Sequence, residues 1–221
     1  MTRVVLLDAL GTLVELQPPA PRLRSRLAEA GFEVTEERAG TAIRAEIAYY
    51  LTHHLDGSDR DSLDDLRDRC AAVMREALGI DGLDQPTARR ALMGALEFRP
   101  YEDTIPALRQ LRADGHALVV VSNWDCALPD WLREVDVLEL VDAVVTSAEV
   151  GVAKPDTRLF RRALELTGAD AAEAVHVGDS PDNDVEGARA AGIRAVLVRR
   201  NGEPPPGVQS IRSLCELAPL L

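Results

Sequence analysis

Five short apolar runs constrain this chain more than any other feature: Val4 to Asp8, Ala117 to Ser122, Ala143 to Thr146, Ala174 to Gly178, and Ala195 to Arg199. They are β-branched and apolar nearly throughout instead of alternating, the pattern of parallel strands buried on both faces. Helical stretches separate the last four runs, at Asp130 to Leu140, Asp156 to Thr167 and Asp184 to Ala191. Strand, helix and strand in repetition predict an α/β fold with a doubly wound parallel sheet.

The interval after the first run reads differently. From about Leu16 to Leu96 no strand-like run occurs, and Ile43, Ile47, Tyr50, Leu51 and His54 fall at helical spacing on one face. Pro18, Pro19 and Pro21 mark its entry, and Arg99-Pro100 its exit. The expected organisation is therefore an α/β core from residues 1–15 and 97–221, with residues 16–96 inserted as a helical cap. Loops of that length without a role are uncommon in compact domains. A helical lid over the end of the first strand is the economical reading. Glu203 to Pro206 reads as a surface loop.

Aromatic residues are only 4% of the chain, so its core must come from Ala, Val, Leu and Ile. The net charge is −12 and no basic cluster stands out, which argues against nucleic acid as a partner. No run approaches the ~20 apolar residues of a membrane span, so no membrane partner is expected. The start of the chain, Arg3 and a short apolar run broken by Asp8, does not read as a signal peptide. Cys70, Cys126 and Cys215 are far apart, odd in number and without CxxC spacing, which fits reduced structural thiols in a cytoplasmic protein. Lys and Arg together number 25, yet Lys154 is the only lysine. A compact ammonium is a point charge where arginine is a wide planar fork.

In an open parallel sheet, ligands bind outside the carboxyl ends of the strands. The first run ends at Asp8 and the second at Ser122-Asn123. The third is followed by Lys154 in GVAKPD, and the fourth reads on into AVHVGDSPDND, which delivers Asp179 and Asp184. All four converge on one rim.

This ordered set resembles the haloacid dehalogenase-like (HAD) hydrolase superfamily, in its helical-cap subgroup. The likeness runs the length of the chain: DALGT, a helical insertion, VVVSNWD, KPD, then GDSPDND. It implies a phosphatase in which Asp8 attacks phosphorus and forms an aspartyl-phosphate. It implies that Asp179 and Asp184 hold Mg²⁺ with Asp8 and the backbone carbonyl of Leu10. Ser122 and Asn123 would donate hydrogen bonds to the phosphoryl group, and Lys154 would balance its charge. Thr12 would hold the turn or the phosphoryl environment, and Gly11 permits the turn. The implied substrate is a small phosphorylated metabolite, chosen by the cap. A plainer alternative makes Asp179 and Asp184 mere helix caps, but two acids five residues apart plus Asp182 exceed what a cap needs.

One position departs from the family pattern. Phosphatases of this kind usually have Asp where Leu10 stands; it protonates the leaving alcohol and later activates water. Such a group is typically worth about 10²–10⁴-fold in rate. Three readings stay open. The first is a phosphatase limited to substrates with good leaving groups, or served by another donor such as Tyr49, His53 or His54. The second is a metal-independent 2-haloacid dehalogenase, whose halide needs no proton, although Asp179 and Asp184 would then repel the substrate. The third is a protein that binds a phosphorylated ligand or a partner and hydrolyses slowly or not at all. Phosphonoacetaldehyde hydrolase chemistry needs a cap lysine, and this cap has none. Trp124 reads as a packed loop residue, while Phe98, Arg99 and Tyr101 mark the return hinge.

Overall fold

The computed structural model describes residues 3–221. In chain order its strands and α-helices are β1 (Val4–Leu7), β2 (Val14–Leu16), α1 (Pro19–Glu29), α2 (Glu36–His53), α3 (Arg60–Leu78), α4 (Gln85–Ala95), β3 (Phe98–Pro100), α5 (Thr104–Ala113), β4 (Ala117–Ser122), α6 (Leu128–Glu134), β5 (Ala143–Thr146), α7 (Ser147–Val150), α8 (Thr157–Thr167), β6 (Ala174–Gly178), α9 (Gly187–Ala190), β7 (Arg194–Val198) and β8 (Ser210–Ile211). The chain divides into two units, one of Met1–Glu15 with Arg99–Leu221 and one of Leu16–Phe98. Strands β2 and β3, which carry the chain across that division, pair as a two-stranded sheet.

The first unit is an α/β layer structure on a six-stranded sheet of order β5-β4-β1-β6-β7-β8, parallel throughout. The apolar runs supply residues for both faces, and β1 is buried along its whole length. Its flanking strands are in register, with Leu7 opposite both Val120 of β4 and Val177 of β6. The carboxyl ends of three central strands therefore finish together. The chain winds outward from β1 in both directions, so β1 is the switch point at which such sheets form a crevice. A layer of small aliphatics such as Val4, Leu6, Val119 and Val121 packs below with Phe160, the one fully buried aromatic among the largest core side chains.

The second unit is built from α1 to α4 around its own core, with Leu23, Leu27, Leu66, Met74, Leu78 and Leu92 at its centre. Helices α2, α3 and α4 start where side chains satisfy free backbone N–H groups, whereas α1 begins at prolines with no side-chain cap. Thr35 accepts from Arg38 N, Asp59 and Ser62 form a reciprocal capping box, and Asp84 accepts from Thr87 N. Gly79 ends α3 in the left-handed conformation. No helix among the described residues is long and apolar enough to cross a membrane.

Local differences from the sequence expectations have identifiable causes. The helix expected over Asp130 to Leu140 stops at Glu134, because Asp136 takes a positive φ of 57° and ends the helical path. The helix expected over Asp184 to Ala191 is replaced by a wide turn, Pro181–Glu186, in which Val185 N reaches back to Ser180 O, followed by α9. Strand β7 lies one residue earlier than expected. Leu51 was expected on the buried stripe of α2 but is exposed, whereas Ile43 and His54 are buried. Trp124 is buried, and residues 203–206 form a loop.

Candidate active site

Asp8 is the first residue after β1, and its N–H still donates to Val177 O at 2.9 Å, so the sheet ladder itself fixes where its side chain starts. The turn that follows closes on Ala9 O, which accepts from Leu13 N and Val14 N. Gly11 makes this turn with φ of 86°, open to glycine at little cost. A side chain there would also collide with Asp179: a Cβ on Gly11 would lie 2.2 Å from Asp179 Oδ2. Gly178, the last residue of β6, plays the same part for the second late acid, since a Cβ on it would lie 2.2 Å from Asp184 Cγ. Glycine at both positions lets two carboxylates approach the backbone near Asp8.

Lys154 closes the arrangement. Its Nζ donates to Asp8 Oδ1 and to Asp184 Oδ1, each at 2.6 Å, and the side chain is buried. Ser122 Oγ, from the end of β4, donates to Asp8 Oδ1 at 3.0 Å. Asp184 accepts twice more, from His176 Nε2 on Oδ1 at 2.9 Å and from Ser180 N on Oδ2 at 2.9 Å. Asp8, Asp179 and Asp184 offer oxygens that all lie within 4.8 Å of one another.

The charges act on each other strongly because little water reaches them. Burial pushes the Asp8 carboxyl above its usual range; Lys154 opposes this and the charge of Asp184 adds to it. Burial also pulls Asp184 upward, but the ammonium of Lys154 and the hydrogen bond from His176 outweigh it and hold this carboxyl well below the usual range. Asp179 has no ion pair among the described residues; burial and the charges of Asp8 and Asp184 push it up to about 6, against the charge of Lys154. Burial works against the charge of Lys154, yet Asp8 and Asp184 hold its ammonium above its ordinary value.

Asn123 sits next to this cluster with its amide already engaged. Its Oδ1 accepts from Lys154 N at 2.6 Å and its Nδ2 donates to Lys154 O at 3.1 Å. The expectation that this side chain is free to serve a phosphoryl group is thereby narrowed to its second amide hydrogen. Thr12 is fully buried in the turn and its Oγ1 has no hydrogen-bond partner among the described residues. Leu10 is 44% exposed. In the helical unit, Tyr49 OH accepts from Arg69 at 2.9 Å and the His53 ring stacks on Tyr49 at 3.9 Å. His54 is buried in that unit.

Two residues with no earlier role emerge. His176 is the sole polar side chain in the run AVHVG, a weak signal that points to a specific partner. Arg200 donates to Asp103 Oδ2 at 3.0 Å and to Thr12 O at 2.8 Å, and its guanidinium lies 3.7 Å from the centre of the Tyr101 ring. It ties the Asp8 turn to the start of α5. Nothing in the sequence separates it from the other arginines.

Comparison with known proteins identifies the family. A family model described as haloacid dehalogenase-like hydrolase matches residues 2–192. The phosphoserine phosphatase of Thermus thermophilus is 40% identical over 145 residues, 60% of this chain and 55% of that protein. The chain spans about half the length of the first curated relatives it matches. Among solved structures, a HAD phosphatase from Thermococcus onnurineus is 26% identical with a TM-score of 0.67, covering 99% of this chain and 97% of that one. A 2-haloacid dehalogenase from Pseudomonas syringae is 24% identical with a TM-score of 0.70, covering 100% of this chain and 98% of that one, a likeness of fold. With a parallel sheet, a helical insertion and the family model matching most of its length, the chain belongs to the haloacid dehalogenase-like hydrolases.

Proposed function

We propose that this hydrolase is a Mg²⁺-dependent phosphatase that acts on a small phosphorylated metabolite through an aspartyl-phosphate on Asp8. The observation that carries the reading is the gathering of Asp8, Asp179 and Asp184 within 4.8 Å, with Lys154 joined to two of them. Three carboxylates outnumber one ammonium, and burial together with the charges of Asp8 and Asp184 raises Asp179 to about 6. A phosphate monoester cannot approach such a cluster until a cation offsets it. The donors are hard carboxylate oxygens, joined in this reading by the Leu10 carbonyl, and that set suits Mg²⁺. When bound, the ion supplies charge neutralisation and orientation for the phosphoryl oxygens.

An Asp8 oxygen attacks phosphorus while the bond from phosphorus to the leaving oxygen breaks, which leaves an acyl phosphate on Asp8. Ser122, whose hydroxyl turns from Asp8 to the substrate, and the second amide hydrogen of Asn123 donate to the phosphoryl oxygens. Lys154 stays beside Asp8 and balances the phosphoryl charge. Water then attacks phosphorus, the bond to Asp8 breaks, and inorganic phosphate departs as the water proton passes to solvent. Leu10 has no proton to give, so the leaving oxygen departs as an anion. Acyl and aryl phosphates, whose leaving groups are acidic, suit this site better than alkyl phosphates.

The absence of an acid at Leu10 favours one second reading, a protein that binds a phosphorylated ligand and turns it over slowly. A panel of acyl, aryl and alkyl phosphates, assayed with Mg²⁺ and with EDTA, separates the two. Turnover that requires Mg²⁺ and rises steeply with leaving-group acidity is expected, and Leu10→Asp should raise alkyl phosphate turnover. Saturable ligand binding without turnover on any member supports the second reading. Halide release from 2-chloropropionate in EDTA overturns both.

A further inference from the structure

We infer that His176 is a positioning residue that decides which oxygen of Asp184 is offered to a cation. The inference rests on the metal-dependent reading above.

His176 lies in the middle of β6, opposite Leu6 of β1 and Ala195 of β7, and is fully buried. Leu6 and Ala195 belong to the apolar layer below the sheet, and the imidazole meets Phe160 of that layer edge-on, ring centres 5.0 Å apart. An imidazole in such a layer is a poor filler. Its Nδ1 has no hydrogen-bond partner among the described residues, and a buried polar atom without one is destabilising. The polar contact that offsets this cost is Nε2 to Asp184 Oδ1 at 2.9 Å. Because a carboxylate oxygen only accepts, Nε2 must carry the proton.

The acceptor count on Asp184 makes the consequence specific. Two carboxylate oxygens offer about four acceptor positions. On Oδ1, Lys154 Nζ and His176 Nε2 fill both; on Oδ2, Ser180 N fills one. A single position is left, on Oδ2. His176 thus blocks Oδ1 and holds the carboxylate so that Oδ2 alone remains for a metal ion. Partners of this kind, one step behind a ligand, typically change metal affinity about 10–100-fold when removed.

Two substitutions test this. His176→Met fills a similar volume without a donor, and His176→Gln retains an N–H at nearly the same reach. Mg²⁺ affinity is measured on the full chain by isothermal titration calorimetry, alongside the melting temperature without metal. The expected result is a Kd raised about 10–100-fold in His176→Met, with most of the affinity recovered in His176→Gln. Should His176→Met fail to fold, the imidazole ¹⁵N resonances of the wild-type chain serve instead: those of His176 should shift along the Mg²⁺ saturation curve. Equal Kd values in wild type and His176→Met, or resonances indifferent to Mg²⁺, overturn the role of His176 alone. A wild-type chain that binds no Mg²⁺ overturns the phosphatase reading beneath it.

Discussion

Lys154 has almost no contact with water, and its ammonium lies 2.6 Å from each of two carboxylates. Stripping water from all three charges is costly, and only their close contact offsets it. Lys154→Met removes the offset and leaves two acids facing each other, so the chain should lose about 3–5 kcal/mol at neutral pH. Urea unfolding checks this, and an unchanged midpoint contradicts it. The loss should shrink in acid, where Asp8, whose carboxyl burial already pushes upward, takes up a proton. At this scale much of the candidate site was legible. A single lysine beside 24 arginines, and acids at the ends of apolar runs, stand out in the sequence. Arg200 did not, because its partners lie far along the chain, Thr12 O 188 residues away; His176 did not, because nothing in the pattern AVHVG shows that its ring turns toward Asp184.

Between strands and helices, legibility followed the length of the pattern. Runs of four to six residues, mostly valine, leucine and alanine, revealed β1, β4, β5 and β6. Strands of two or three residues, such as β2, β3 and β8, hold too few positions to show any period. The Pro181–Glu186 turn escaped notice because its shape answers to Asp184, which is drawn inward by Ser180 N and Lys154. Helix α2 hides a different signal, Glu46, buried in the helical unit with a hydrogen bond to Cys70. Burial pushes its carboxyl from 4.5 to about 7. A folded state that holds this proton more tightly than the unfolded one is most stable below pH 4.5 as far as Glu46 is concerned. That contribution is lost as pH rises through about 7, by at most roughly 3 kcal/mol. Glu46→Gln should flatten this decline in urea midpoints measured from pH 5 to 8; an unaltered slope removes Glu46 as its cause.

Taken whole, each unit buries apolar residues of its own, and the proposed metal site belongs to the α/β unit alone. A ligand that binds only the folded form stabilises it by mass action, about 2.7 kcal/mol at a concentration 100 times its Kd. Saturating Mg²⁺ should therefore raise the melting transition of the α/β unit in calorimetry, and EDTA should return it; no shift at any Mg²⁺ concentration speaks against a site there. The doubly wound architecture was readable from its buried parallel strands, whereas no local pattern could reveal how far apart in the chain the meeting residues are. Asp8 joins Ser122 across 114 residues and Lys154 across 146, and Lys154 joins Asp184 across 30. During synthesis on a ribosome, β1 emerges first and waits for neighbours made much later, since both strands that flank it come from the second half of the chain. Until Lys154 and Asp184 have been made, the nascent polypeptide holds Asp8 without the charged partners that surround it in the fold.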